Sequence, residues 1–260
     1  MKLSIIDKSK KEIFISIFQL LKTSTSVICI KFNDDHLYIQ GMDKSHICLF
    51  DIKIFSSWFE TYELLEEDIS AICLSSQFFH NIIAMTQEKH NLMIHYEGDP
   101  DAIFIDLICQ EDASDYNKYF RLPLTEFDSE VLNVPEVDYD AEFSISSKKI
   151  CELCSQLIIF GDIMNVKCNE EKIDIASSGV GGEMSVNIPI DDLTEFSISE
   201  GEFINLSYSL NYIYKMCLSS KLSSEVAFSI SKDYPLRIKY DLESDSYVTF
   251  YMAPRIDDND

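Results

Sequence analysis

A chain of 260 residues, 46% hydrophobic and 12% aromatic, has ample material to bury the core of one large domain or two ordinary ones, which excludes disorder as its general state. Its 45 Asp and Glu against 21 Lys and Arg leave a net charge of −24, so the chain as a whole repels nucleic acid and anionic membranes, and any hold on DNA must be local or topological. Charged residues interrupt every apolar run before the roughly 20 residues of a membrane helix, and the eight cysteines, scattered through apolar runs, are expected to be reduced thiols of a soluble intracellular protein.

In chain order, Ser9-Lys10-Lys11 opens a pattern that returns at Ser147-Lys148-Lys149, and this repeat organises the chain. Ile13, Ile17, Leu20 and Leu21 follow the first copy at helical spacing, as Ile150, Leu153, Cys154 and Leu157 follow the second. Each predicted helix leads into a hairpin, turning at Asn33-Asp34-Asp35 in the first half and at Asn169-Glu170-Glu171 in the second. A second helix is predicted at 77–86 and at 209–219, followed by strands at 92–96 and 102–109, and at 225–231, 236–240 and 247–251. Each half therefore reads β-α-β-β-β-α-β-β-β. The fold class is α+β, with antiparallel sheets and the two helices of each half gathered on one face. The proline-bearing, acidic segment 121–137 is the expected connector between a domain at 1–120 and a domain at 138–260.

No catalytic constellation emerges. Cys151 and Cys154 form one Cys-x-x-Cys with no second pair to complete a zinc site, so they read as core cysteines on a helix. His36, His46, His80, His90 and His95 lack metalloprotease spacing, and Gly179-Val180-Gly181-Gly182 lies between strands and reads as a turn. The acidic groups at 34–35, 66–68, 191–192 and 257–260 read as solvated charge, because adjacent acids on a strand point apart. No metal, cofactor or enzymatic activity is expected. The sparse lysines matter more: Lys8, Lys11 and Lys22 fall near one face of the first helix, Lys148 and Lys149 begin its counterpart, and Lys215 and Lys221 lie on or just beyond the last helix. Their recurrence in both halves suggests a shared basic surface.

Gly41-Met42-Asp43-Lys44-Ser45-His46-Ile47, Leu132-Asn133-Val134-Pro135-Glu136 and Tyr251-Met252-Ala253-Pro254-Arg255-Ile256 resemble the eukaryotic-type sliding clamps, the proliferating cell nuclear antigen family. Ser114-Asp115-Tyr116, Phe160-Gly161-Asp162 and Asp233-Tyr234-Pro235-Leu236 fall in the matching order, so the resemblance covers essentially the whole chain. It implies a ring-forming DNA clamp: a homotrimer of six similar domains with helices lining a channel around duplex DNA, bound without sequence preference. Such a ring tethers DNA polymerase, flap nuclease and ligase through short peptide motifs, and a clamp loader opens it. The resemblance also implies nuclear localisation, or the site of viral DNA replication for a viral chain. The rival within the same architecture is a checkpoint-type subunit of a heterotrimeric ring.

By matching motifs, the partner-peptide pocket would comprise Met42, His46, Ile47 and Leu49, then Leu132, Val134 and Pro135, then Pro235, Tyr251, Ala253, Pro254 and Ile256. Some of these are expected to be core residues. DNA would face Lys8, Lys11, Lys22, Lys148, Lys149, Lys215 and Lys221, and subunits would meet through Tyr116 on one copy and Met184 and Val186 on the next. Channel positions that are basic in familiar members are Glu152, Ser155 and Leu218 here, and the helix at 77–86 carries no lysine, so the channel is expected to be less positive than usual. The family's regulatory lysine position matches Glu170 here, with Lys167 and Lys172 flanking it, so no modified lysine is assigned by the resemblance.

Overall fold

The structure, a computed structural model, describes residues 1–64, 71–96, 101–110, 115–127, 130–218 and 220–255; Ile256, Ser114 and the acidic groups at 66–68 and 257–260 lie outside them. Two compact units divide the chain. The first comprises Met1–Lys44, Phe50–Leu132 and Leu242–Val248, the second Ser45–Leu49, Asn133–Asp241 and Thr249–Asp260.

The first half runs β1 (Lys2–Ile5), α1 (Lys8–Ser24), β2 (Val27–Phe32), β3 (His36–Met42), β4 (Cys48–Phe55), β5 (Thr61–Glu63), β6 (Ala71–Ser75), α2 (Ser76–Ile83), β7 (His90–His95), β8 (Ala102–Cys109) and β9 (Lys118–Pro123). One sheet has the order β5-β1-β7-β8-β9, and β4-β3-β2-β6 follow one another in a second. Asp7 starts α1 by accepting a hydrogen bond from the Lys10 amide at 2.9 Å, and Ser75 caps α2 in the same way. Phe14, Ile17, Phe18 and Leu21 bury one face of α1, and the helix stops where Thr25 turns extended. Phe18 meets Phe79 of α2 with ring centroids 4.6 Å apart, so the two helices are joined by aromatic edges. Fully buried Trp58 extends this cluster through Phe14.

The second half repeats the order: β10 (Ala141–Ser146), α3 (Ser147–Leu157), β11 (Ile163–Cys168), β12 (Lys172–Gly179), β13 (Gly182–Pro189), β14 (Glu195–Ile198), β15 (Ile204–Ser209), α4 (Leu210–Cys217), β16 (Glu225–Ile230), β17 (Leu236–Asp241) and β18 (Tyr247–Met252). Its strands follow the orders β13-β12-β11-β15 and β14-β10-β16-β17-β18. Phe143 of β10 stacks on Phe228 of β16 at 5.1 Å, a directly opposed cross-strand pair. The glycine cluster makes the β12–β13 turn, with Gly182 at φ +128°. A Cβ on Gly161 would collide with the Ser178 carbonyl and one on Gly179 with that of Phe160, so the chain after α3 can cross the end of β12 only on bare backbone.

Two expectations need correcting. Among the described residues five strands, not three, separate the helices of each half. The additional strands are short, and the 3₁₀ turns Ser56–Trp58 and Ile190–Asp192 interrupt the alternation that would have marked them. Cys29 and Cys73, expected as free thiols, form a disulfide between β2 and β6. Apolar runs carry no sign of such a pair, because two residues 44 positions apart become opposed only when the strands join. Cys154 is buried on α3 and Cys151 half-buried beside it, in keeping with core cysteines on a helix. Among the described residues no helix is long and apolar enough to cross a membrane.

Candidate partner-binding surface, basic helices and sheet edges

The Ser-Lys-Lys repeat places its lysines at the start of α1 and of α3, but the two copies do different things. Lys11 is only 3% exposed, and its ammonium donates to the carbonyls of Glu88 at 2.7 Å and His90 at 2.6 Å. Burial pushes its pKa down from the ordinary lysine value, against the pull of Asp7 and Glu88. Lys11 therefore does not face DNA: the hydrophobic face of α1 is wide enough to take in its stem, and two backbone carbonyls satisfy its head. Lys10 is committed as well, donating to the Trp58 carbonyl at 2.8 Å and lying over that ring. Lys148 and Lys149 at the start of α3 are both exposed.

The remaining lysines of the expected surface are exposed, except for half-buried Lys22. Lys8 pairs with Glu88 at 3.1 Å in solvent. Lys22 sits 3.0 Å from Nδ1 of His80, the polar side chain that α2 offers in place of a lysine. Burial first, and the Lys22 charge second, lower the pKa of His80, so the imidazole is neutral near pH 7 and accepts from the ammonium. Lys215 is exposed over the Tyr212 ring, and Lys221 is exposed beyond α4.

None of the described residues of the expected peptide pocket is fully buried. In the first unit Met42 is half-buried at the end of β3 and Leu132 is 45% exposed. In the second, His46, Ile47, Pro135, Pro235 and Ala253 are exposed, while Leu49, Val134, Tyr251 and Pro254 are half-buried. His46 takes a left-handed backbone at φ 56°, which turns the chain into β4. The Arg255 amide donates to the Ser207 carbonyl at 2.8 Å, pinning the Ala253–Pro254 stretch beside β15. Ile256 lies outside the described residues.

Sequence reasoning missed the residue that holds Leu132. Gln40, buried on β3, accepts from the Leu132 amide at 2.7 Å and donates to its carbonyl at 2.9 Å. It also missed Tyr234, 40% exposed beside Pro235, with its ring 6.3 Å from that of Tyr139, which in turn lies under the Arg237 guanidinium. A glutamine within an otherwise apolar strand was the available signal for the first; an exposed tyrosine carried none.

The expected subunit-contact residues lie at sheet edges. β9 ends one sheet of the first unit, and Tyr116, just ahead of it, is 81% exposed. β13 ends a sheet of the second unit and carries half-buried Met184 and Val186. Beside β13 a groove is lined by Ile145, Leu153, Val186 and Ile188, with Lys149, Glu152 and Asp192 as its charged residues.

Two domains of one architecture are what the comparisons account for. "Proliferating cell nuclear antigen, N-terminal domain" matches residues 8–131, and the C-terminal domain of the same family matches 133–255. The chain belongs to the proliferating cell nuclear antigen family. Its relatives include the Proliferating cell nuclear antigen of Chaetomium thermophilum, 26% identical over 88% of each chain, and Proliferating cell nuclear antigen 2 of Plasmodium falciparum, 25% identical over 95% of this chain and 97% of that one. The crystal structure of PCNA from Thermococcus kodakaraensis superposes with a TM-score of 0.86 at 18% identity, covering 98% of this chain and 99% of that one, which establishes the shared fold. As a member of this family the chain is a DNA sliding clamp. The family's clamps are non-enzymatic, act as oligomeric rings, and bind DNA and polymerases.

Proposed function

We propose that three copies close head to tail into a ring around duplex DNA, through β9 of one copy and β13 of the next, and that the ring tethers replication and repair enzymes by short peptides. The observation that carries this reading is the pair of edges. β9 bears Arg121 and Lys118, the latter paired with Asp115 at 3.4 Å, with exposed Tyr116 and Tyr119. β13 bears Glu183 and runs on to Asp191 and Asp192 beside an apolar groove. Free strand edges invite pairing, and opposite charges favour a heterologous contact over like-with-like association. Closure would cover both of these edges.

With −24 per chain, attraction of the protein as a whole for phosphate is not what keeps it on DNA. Encirclement is indifferent to net charge. Lys8, Lys22, Lys148, Lys149, Lys215 and Lys221 supply loose, sequence-independent contacts inside the ring, fewer than the sequence promised because Lys11 is withdrawn. Met42, His46, Ile47 and Leu49, with Leu132, Val134, Pro135, Pro235, Tyr251, Ala253, Pro254 and Ile256, receive the apolar and aromatic anchors of polymerase, flap nuclease, ligase and clamp-loader peptides. That the described members are exposed or half-buried, none of them fully buried, supports this role over a core role. The work belongs in the nucleus, or at the site of viral DNA replication if the chain is viral. Light scattering at tens of micromolar tests the ring: the reading requires a particle of three chains of 29.9 kDa, and a monomer at that concentration contradicts it.

A further inference from the structure

We infer that Gln40 is a positioning residue for partner binding, holding the Leu132 backbone so that the leucine side chain is presented to an incoming peptide, and that Asp51 and Tyr38 hold Gln40 in turn. The inference rests on the peptide-binding reading above. The amide of Gln40 meets both backbone groups of Leu132, at 2.7 Å and 2.9 Å, as a neighbouring strand would. Its Nε2 also donates to Oδ2 of buried Asp51 at 3.1 Å, and the Tyr38 hydroxyl donates to that same oxygen at 2.6 Å. A carboxylate only accepts, so Asp51 decides which end of the Gln40 amide faces it. The other end, the carbonyl oxygen, is then left for the Leu132 N–H. Three side chains thus specify the position of one peptide unit.

Leu132 has its backbone fixed and its side chain exposed. Val131 and Leu132 are both 45% exposed, and Asn133 is exposed after them. Upstream among the described residues, the preceding backbone-to-backbone bond of this segment is Thr125 N–H to the Cys73 carbonyl at 2.8 Å. Without such a tether an exposed apolar anchor would have to be ordered each time a peptide binds. The Gln40 tether meets that ordering cost in the free protein, which is how preorganisation raises affinity without adding a contact.

The test measures two things on the full chain: hydrogen exchange at the Leu132 amide without peptide, and affinity for a synthetic clamp-binding peptide. Gln40→Leu removes the tether and leaves Leu132 itself intact. We expect faster Leu132 exchange and peptide affinity reduced on the order of tenfold. Tyr251→Ala, by contrast, should weaken binding while leaving that exchange rate unchanged. Tyr38→Phe deletes a single hydroxyl and should move both readouts the same way by a smaller amount, which keeps the test open if Gln40→Leu fails to fold. A merely structural role would change melting temperature without moving affinity. If the wild type binds no clamp peptide, the peptide-binding reading fails first. If the wild type binds and the folded variants bind equally well, or the Leu132 amide exchanges no faster in them, the inference alone is overturned.

Discussion

The ammonium of Lys11 donates to the carbonyl oxygen of His90 across 2.6 Å, inside the first unit. His90 is itself fully buried; its Nδ1 accepts from the Gln87 amide at 3.1 Å, so its Nε2 carries the proton offered to the Tyr116 carbonyl at 3.2 Å. A lysine that the sequence offers to DNA therefore braces the loop before β7, and through His90 that loop holds the corner from which β9 starts.

Lys11→Met should accordingly cost stability, not DNA affinity. The carbonyls of Glu88 and His90 lose a charged donor, which costs about 1 to 3 kcal/mol. Lys148→Ala and Lys149→Ala should do the reverse, leaving the urea midpoint in place and flattening the salt dependence of DNA binding by about 0.9 in slope for each phosphate no longer neutralised. Denaturation and salt titrations on the three variants separate the two roles.

His80 makes stability fall on the acid side. Its pKa in the folded chain lies below the ordinary value, so as pH drops through about 6.5 the unfolded chain takes up the proton first. The His80 contribution is present above that pH and is lost as pH falls toward the folded value, where an imidazolium would face the Lys22 ammonium. His80→Gln should narrow the difference in melting temperature between about pH 7.5 and pH 5.5. An unchanged difference would show that His80 is not its source.

Much of this architecture is legible in the sequence. The repeat at Ser9 and Ser147, the hairpin turns at 33–35 and 169–171 and the helix faces fall where periodicity puts them, because amphipathic helices and tight turns are local properties. The fate of Lys11 is not legible, since its acceptors arrive from 88 and 90, far along the chain. The same holds for the Cys29–Cys73 pair and for Gln40 with Leu132, whose partners meet only after strands have ordered. Short strands such as β5 and β14 are missed for a different reason: three or four residues give too little alternation to register.

Tyr251→Ala and Leu132→Ala should each weaken a clamp-binding peptide by about 1 to 3 kcal/mol. The folded chain should lose much less, because Leu132 is well exposed and Tyr251 only half-buried. Calorimetric titration beside thermal melting distinguishes an anchor pocket from a packing role; undiminished affinity in both variants would remove the pocket.

Val186→Glu places a carboxylate on the β13 edge, among the apolar residues that line the groove. It should shift the assembly toward monomer, as should Tyr116→Ala on the opposite edge. Sedimentation velocity reads the shift directly, and a ring that survives both changes does not close through these strands.

The most direct measurement of encirclement loads the clamp onto nicked circular DNA with a clamp loader and ATP, raises salt moderately, and then linearises the circle. Encirclement predicts that the protein stays on the closed circle through the salt step and leaves once free ends exist, with no preference among sequences. Protein that remains on unblocked linear DNA, or that salt strips from the intact circle, would contradict encirclement as the basis of its hold.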